Sequence, residues 1–183
     1  MKKIILIATA CILINSSFAQ KIYFTRSGTI SFKAGTALED IDAVNKSATC
    51  VFDAASGNIQ FLILVKGFEF KSALLMEHFN ENYMESNKYP KAVFTGKITN
   101  LDKINFQKDG TYQATVKGTM DIHGVKKEME AIGTIKVSGE NVLINADFAV
   151  AMADYNIEIP SVVKDKIAKT AKITVNCNNT IKK

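Results

Sequence analysis

Hydrophobic and polar residues alternate along most of this chain with a period of two, the pattern of strands that bury one face and wet the other. It is clearest from Tyr112 to Ile122, where Tyr112, Ala114, Val116, Gly118, Met120 and Ile122 form one face and Gln113, Thr115, Lys117, Thr119 and Asp121 the other. His123-Gly124 supplies a two-residue hairpin loop, glycine taking a positive φ, and a second strand runs from Val125 to Val137. After a turn at Ser138-Gly139-Glu140, a third strand carries Val142, Ile144, Ala146, Phe148, Val150 and Met152 on one face, completing a meander. Shorter runs predict strands over Ile22 to Thr25 with Thr29 to Lys33, Ala48 to Asp53, Asn58 to Val65, Lys91 to Ile98 with Ile104 to Gln107, and Lys172 to Cys177.

Near residues 72-84 the period changes. Ser72 can cap a helix in which Leu75, Met76, Phe79 and Tyr83 share one face, and Asn87 to Pro90 ends it because the residue before proline is pushed away from helical geometry. A shorter helical turn is predicted after Pro160, around Val163 to Ala168. Up-and-down strands under a single helix either pack as a sandwich or close on themselves, and closure removes the edges that invite aggregation. The expectation is therefore an all-β chain: an antiparallel up-and-down β-barrel of about eight strands with one covering helix near residues 72-84.

The inward faces are interrupted by Ala114, Gly118, Ala131, Gly133 and Ala146. Small inward residues leave a lumen partly empty; the alternative is that they let strands coil tightly or the helix pack close. The connection Gly67-Phe68-Glu69-Phe70 and the helix after it are rich in aromatic, leucine and methionine side chains, which suit either a plug at one barrel end or the mouth of an apolar pocket.

Composition adds limits. At 47% hydrophobic and 22% charged, with two prolines, the chain is of ordinary globular make-up. The formal charge of +5 comes from lysines scattered among acids, with no basic stripe for nucleic acid. Part of it lies in residues 1-19, where Lys2-Lys3, the apolar run Ile4 to Ile14 and the small residues Ser17 and Ala19 read as a cleaved signal peptide, too short to span a bilayer. Residues 20-183 are then one exported domain, periplasmic or secreted, with no transmembrane anchor. Cys11 would leave with the signal; it lacks the usual lipoprotein leucine before it. Cys50 and Cys177 remain, and read either as two buried small residues on different strands or as a disulfide.

Catalytic chemistry has little to work with. His78 and His123 are the only histidines, neither in an HExxH pattern, and no CxxC, GxSxG, Walker loop or GxGxxG occurs. No metal, cofactor or catalytic residue is expected, and an enzyme would need a polar cluster inside the cavity.

Three segments carry a resemblance. Lys88-Tyr89-Pro90 followed by Phe94, the hairpin Gly118-Thr119-Met120-Asp121-Ile122-His123-Gly124-Val125-Lys126-Lys127, and Asp154-Tyr155-Asn156-Ile157 occur in the order found in the YceI-like lipid- or polyisoprenoid-binding family, which this chain resembles over nearly its whole mature length. Met120, Lys126 and Asn156 depart from the family's leucine, threonine and glycine, and the segment Leu75 to Asn80 also differs. The resemblance implies a lipocalin-like barrel, exported, whose tunnel holds a long-chain amphiphile such as a polyisoprenoid, quinone or fatty acyl lipid, with no catalysis. By strand parity or helix face, the expected lining is Phe61, Ile63, Phe68, Phe70, Leu75, Met76, Phe79, Tyr83, Phe94, Val116, Met120, Met129, Ile144, Phe148 and Tyr155, with His78, Lys126 or Lys127 meeting a head group at the mouth. Transient membrane contact and a homodimer are compatible with that role. The competing reading is a filled barrel that acts through its outer surface or as a homodimer.

Overall fold

The computed structural model describes residues 21–182; the signal peptide expected over residues 1–19 lies outside them. Nine strands, β1 (Ile22–Gly35), β2 (Asp42–Asp53), β3 (Asn58–Leu64), β4 (Glu69–Phe70), β5 (Lys91–Ile98), β6 (Gly110–Ile122), β7 (Val125–Ser138), β8 (Asn141–Ala151) and β9 (Ile167–Ile181), form one antiparallel sheet. Its order is β1-β9-β8-β7-β6-β5-β3-β2, and β1 pairs back with β2, so eight strands close into a barrel and the two-residue β4 is added on the early part of β2. The expected eight-stranded barrel is present, with the meander β6-β7-β8 at its heart.

Local chemistry explains the turns. His123 (φ 52°) and Gly124 (φ 74°) are both left-handed, as a two-residue hairpin with the right twist requires. At Gly118 the reason is close approach. A Cβ there would stand 2.4 Å from Gly96 Cα, its register partner, and 2.8 Å from Phe94 Cζ. The Phe94 ring thus lies over two facing glycines, and Gly118 serves packing; Ala114, Ala131 and Ala146 instead line the cavity, as does Gly133, where a Cβ would meet Asn145 O at 2.4 Å.

Two expected elements differ. Residues 104–107 are not a strand: after the 3-10 turn Leu101–Lys103 the chain folds under the barrel, burying Ile104 and setting Phe106 against Phe52 (5.5 Å) and Tyr23 (6.2 Å). Their alternation is that of a plug, with apolar positions 104 and 106 both turned inward. After Pro160 only the single 3-10 turn Ser161–Val163 is helical, and β9 begins at Ile167. The outcome is a barrel with one end packed solid by Tyr23, Phe52, Ile104, Val137 and Val142.

The other end is covered by a helical segment. Ser72 caps α1 (Ala73–His78) by accepting from Leu75 N, and α1 continues into a π-helical turn, Phe79–Tyr83. Cys50 on β2 and Cys177 on β9 are free, fully buried thiols; a hydrogen bond with Cys177 and then burial push the Cys50 thiol up.

Candidate functional site: an apolar cavity under the helical segment

The strands' inward faces do not fill the barrel beneath α1. A cavity of about 430 Å³ remains, within the range of small-molecule sites. Its wall includes Ile30, Phe32 and Ala34 from β1, Ile59 from β3, Ile98 from β5, Ala131 and Ile135 from β7, and Ile173 and Val175 from β9. Because β6, β7 and β8 contribute alanines and a glycine at neighbouring positions, with Gly133 opposite Ala146, the space persists rather than closing.

Of the residues singled out from the sequence, Phe61, Ile63, Phe68, Phe70, Leu75, Phe79, Tyr83, Phe94, Val116, Met120, Met129, Ile144 and Phe148 all stand in this wall, as does His78. Four do not. Met76 is 39% exposed, because the helical face over the cavity is centred on Leu74-Leu75 and His78-Phe79 and the next residue turns away. Tyr155 is buried outside the cavity, behind the β6-β7 hairpin. Lys126 and Lys127 lie on the outside of that hairpin, facing Asp121 (4.0 Å) and Asp154 (3.8 Å).

Phe79 anchors the cover. Its ring meets Phe32 (5.4 Å), Phe68 (5.6 Å) and Phe70 (5.0 Å), so the connection from β3 and the helical turn clamp onto the end of β1. A polar junction holds the far side. His123 Nδ1 lies 3.0 Å from the Tyr155 carbonyl, its Nε2 2.9 Å from Glu85, and its ring packs edge-on to Tyr89. Glu85, His123 and Asn156, the three non-glycine residues with positive φ among those described, all belong to this junction or flank it. The segments around Tyr89, His123 and Tyr155 that carry the sequence resemblance therefore meet at a structural joint beside the cover.

The sequence reading missed the β1 and β9 contributions and all of the polar rim except His78 and Tyr83. Glu39 and Lys166, which look like everyday surface residues, border the cavity and pair at 3.1 Å. Only the meeting of the β1-β2 loop with the turn before β9 reveals them. Among the described residues no group of three or more His, Cys, Asp or Glu could hold a metal ion, and no helix is long and apolar enough to cross a membrane.

Comparison with solved structures finds the same architecture. A polyisoprenoid binding domain from Saccharophagus degradans, implicated in plant cell wall breakdown, superposes with a TM-score of 0.77 at 12% identity, covering 90% of this chain and 100% of that one. BcnA of Burkholderia cenocepacia gives 0.69 at 17% identity, covering 84% and 96%. A Campylobacter jejuni YCEI protein gives 0.57 at 16% identity, covering 75% and 81%. No curated protein matches the chain. At these identities the likeness establishes the fold. The family model for the YceI-like domain matches residues 17–178, and with that extent of agreement the chain belongs to the YceI-like domain family.

Proposed function

We propose that the protein is exported by the signal peptide over residues 1–19 and, as the domain 20–183, sequesters or carries a long-chain apolar amphiphile without catalysis. The ligand is a polyisoprenoid, quinone or fatty acyl lipid whose tail occupies the lumen. One observation carries this reading: a cavity of about 430 Å³ walled almost entirely by apolar side chains, in a protein class whose interiors are otherwise close-packed. The packed end answers to the filled-barrel alternative; the open half beneath α1 favours a ligand. The binding activity named for the Saccharophagus degradans domain supports the same ligand class.

The energetics suit a carrier. Each buried CH₂ contributes about 0.8 kcal/mol, so a tail of roughly thirty carbons gains on the order of 20 kcal/mol relative to water, beyond the practical ceiling for affinity. The ligand's alternative home is a bilayer, which offers the same burial. Net transfer between lumen and membrane is then close to balanced, and exchange runs both ways. Leu38, Leu74 and Val162, exposed at 72%, 59% and 87%, lie on the three segments around the mouth and suit transient contact with a lipid surface.

Native mass spectrometry of protein purified without detergent from its own host, followed by organic extraction, tests the reading. A stoichiometric long-chain lipid is the expected result. A clean apo mass that persists after incubation with lipid vesicles would overturn it in favour of a protein partner on the outer surface.

A further inference from the structure

The ionisable side chains of the cavity wall are gathered at its mouth. Glu39 comes from the β1-β2 loop, His78 from the end of α1, Tyr83 from the π-helical turn and Lys166 from the turn before β9. The other polar wall residues, Thr134 and Asn145, are register partners within the sheet, and Asn145 is engaged with Asn176 at 2.8 Å. The rim is pre-organised: Glu39 and Lys166 pair at 3.1 Å, and Thr36 Oγ1 donates to the Asp165 carbonyl at 2.7 Å, pinning the two loops together. Burial, and then the Glu39 carboxylate, raise the Tyr83 hydroxyl above its ordinary range, so it stays a neutral donor. Asn82 Nδ2 lies 3.0 Å from His78 Nδ1 and orients the imidazole at the mouth.

We infer that Glu39, Lys166, Tyr83 and His78 form the head-group site, and that the Glu39–Lys166 pair makes it selective for uncharged, hydrogen-bonding heads over anionic ones. The inference rests on the lumenal lipid-binding reading above. Its logic is electrostatic. The one ammonium that borders the cavity is already paired, so a carboxylate or phosphate entering the mouth must either face Glu39 or compete with it for Lys166. Lys71, at the start of the cover, is engaged by Asp40 (3.1 Å) and Asp42 (3.5 Å). An alcohol or a primary amide instead accepts from Tyr83 and donates to Glu39 without disturbing the pair, with the His78 ring beside it. Glu39 is thereby the specificity-determining residue.

The test uses one saturated chain with four heads: cetyl alcohol, palmitamide, palmitate and cetyl phosphate, each titrated by native mass spectrometry against the wild-type chain, Glu39→Gln and Glu39→Gln/Lys166→Gln, with thermal melts as a folding control. In the wild type the alcohol and amide are expected to bind at least about tenfold more tightly than the two anions. Glu39→Gln should free Lys166 and raise affinity for the anions by about tenfold, narrowing the preference for the alcohol; the double variant should lose the anion gain. Equal binding of all four heads to the wild type, or an unmoved anion affinity in Glu39→Gln, overturns the head-group site and leaves the lumenal reading standing. Failure of every probe to bind any variant overturns both.

Discussion

Tyr23 brings a hydroxyl into the packed end of the barrel, stacked on Phe52 at 6.1 Å and with no side-chain or backbone partner for its oxygen among the described residues. A buried hydroxyl without a partner gives up its water and receives little in return, so Tyr23→Phe should be neutral or stabilise by up to about 1 kcal/mol, read from urea midpoints. Burial and then the Glu140 carboxylate raise the Tyr23 pKa. For an acid whose folded pKa is raised, the contribution to stability is fully present below the unfolded value and is lost as pH rises through the folded one. Stability should therefore fall above about pH 10, and Tyr23→Phe should lessen the fall, although Tyr83 and Tyr155 shift in the same direction. A variant as alkali-sensitive as the wild type would assign the loss to the other groups raised in the fold, Tyr83, Tyr155 and Cys50.

In the proposed carrier, the cover over the cavity is the element that retains the ligand. Leu74, Leu75, His78 and Phe79 face the space, and the π-helical turn brings Tyr83 and Met84 to it as well. Because Phe79 contacts three other phenylalanines, Phe79→Asp would set a charge among rings that cannot solvate it. The expected outcome is a folded barrel, since α1 contributes no strand pairing, with lipid release accelerated about tenfold or more in a fluorescence displacement assay. A folded Phe79→Asp protein with unchanged retention would show that the helix does not belong to the site. Elements also explain which parts of the sequence could be read. On β3, β6, β7 and β8 parity is uninterrupted, so inward residues such as Phe61, Val116, Met129 and Ile144 follow directly from alternation. On β1 the buried positions switch from Tyr23 and Thr25 to Gly28, Ile30, Phe32 and Ala34, and on β2 from Ala43 and Asn45 to Ala48, Cys50 and Phe52. Irregular register around Gly28 makes the switch, and a bulge is defined only by the strand across from it.

At the scale of the whole molecule, one end of the barrel is packed, and in the proposed carrier loading passes the other, where Glu39 and Lys166 stand. Leu38 and Val162 stand on its rim at 72% and 87% exposure without contributing to the wall. Leu38→Asp/Val162→Asp should slow transfer of a fluorescent prenol from vesicles to protein by about tenfold while leaving affinity for micelle-delivered ligand within about twofold. Equal transfer rates would place lipid entry elsewhere.

Local rules determined the all-β architecture, the β6-β7-β8 meander, the turn at His123-Gly124, the capped helix and the inward faces of β6, β7 and β8, because alternation, capping and turn chemistry act over a few neighbouring residues. The resemblance carried by the segments at Tyr89, His123 and Tyr155 led to the family, yet those segments meet at a joint outside the cavity. Tertiary structure alone decided that the space stays open under α1, that Gly118 serves the Phe94 ring, that Met76 and Tyr155 leave the wall, and that Glu39 reaches Lys166. The reason is distance along the chain. Closure of β1 on β2 and β9 brings together loops that no local pattern connects, and both the volume of a lumen and the pairing of its rim charges depend on that closure.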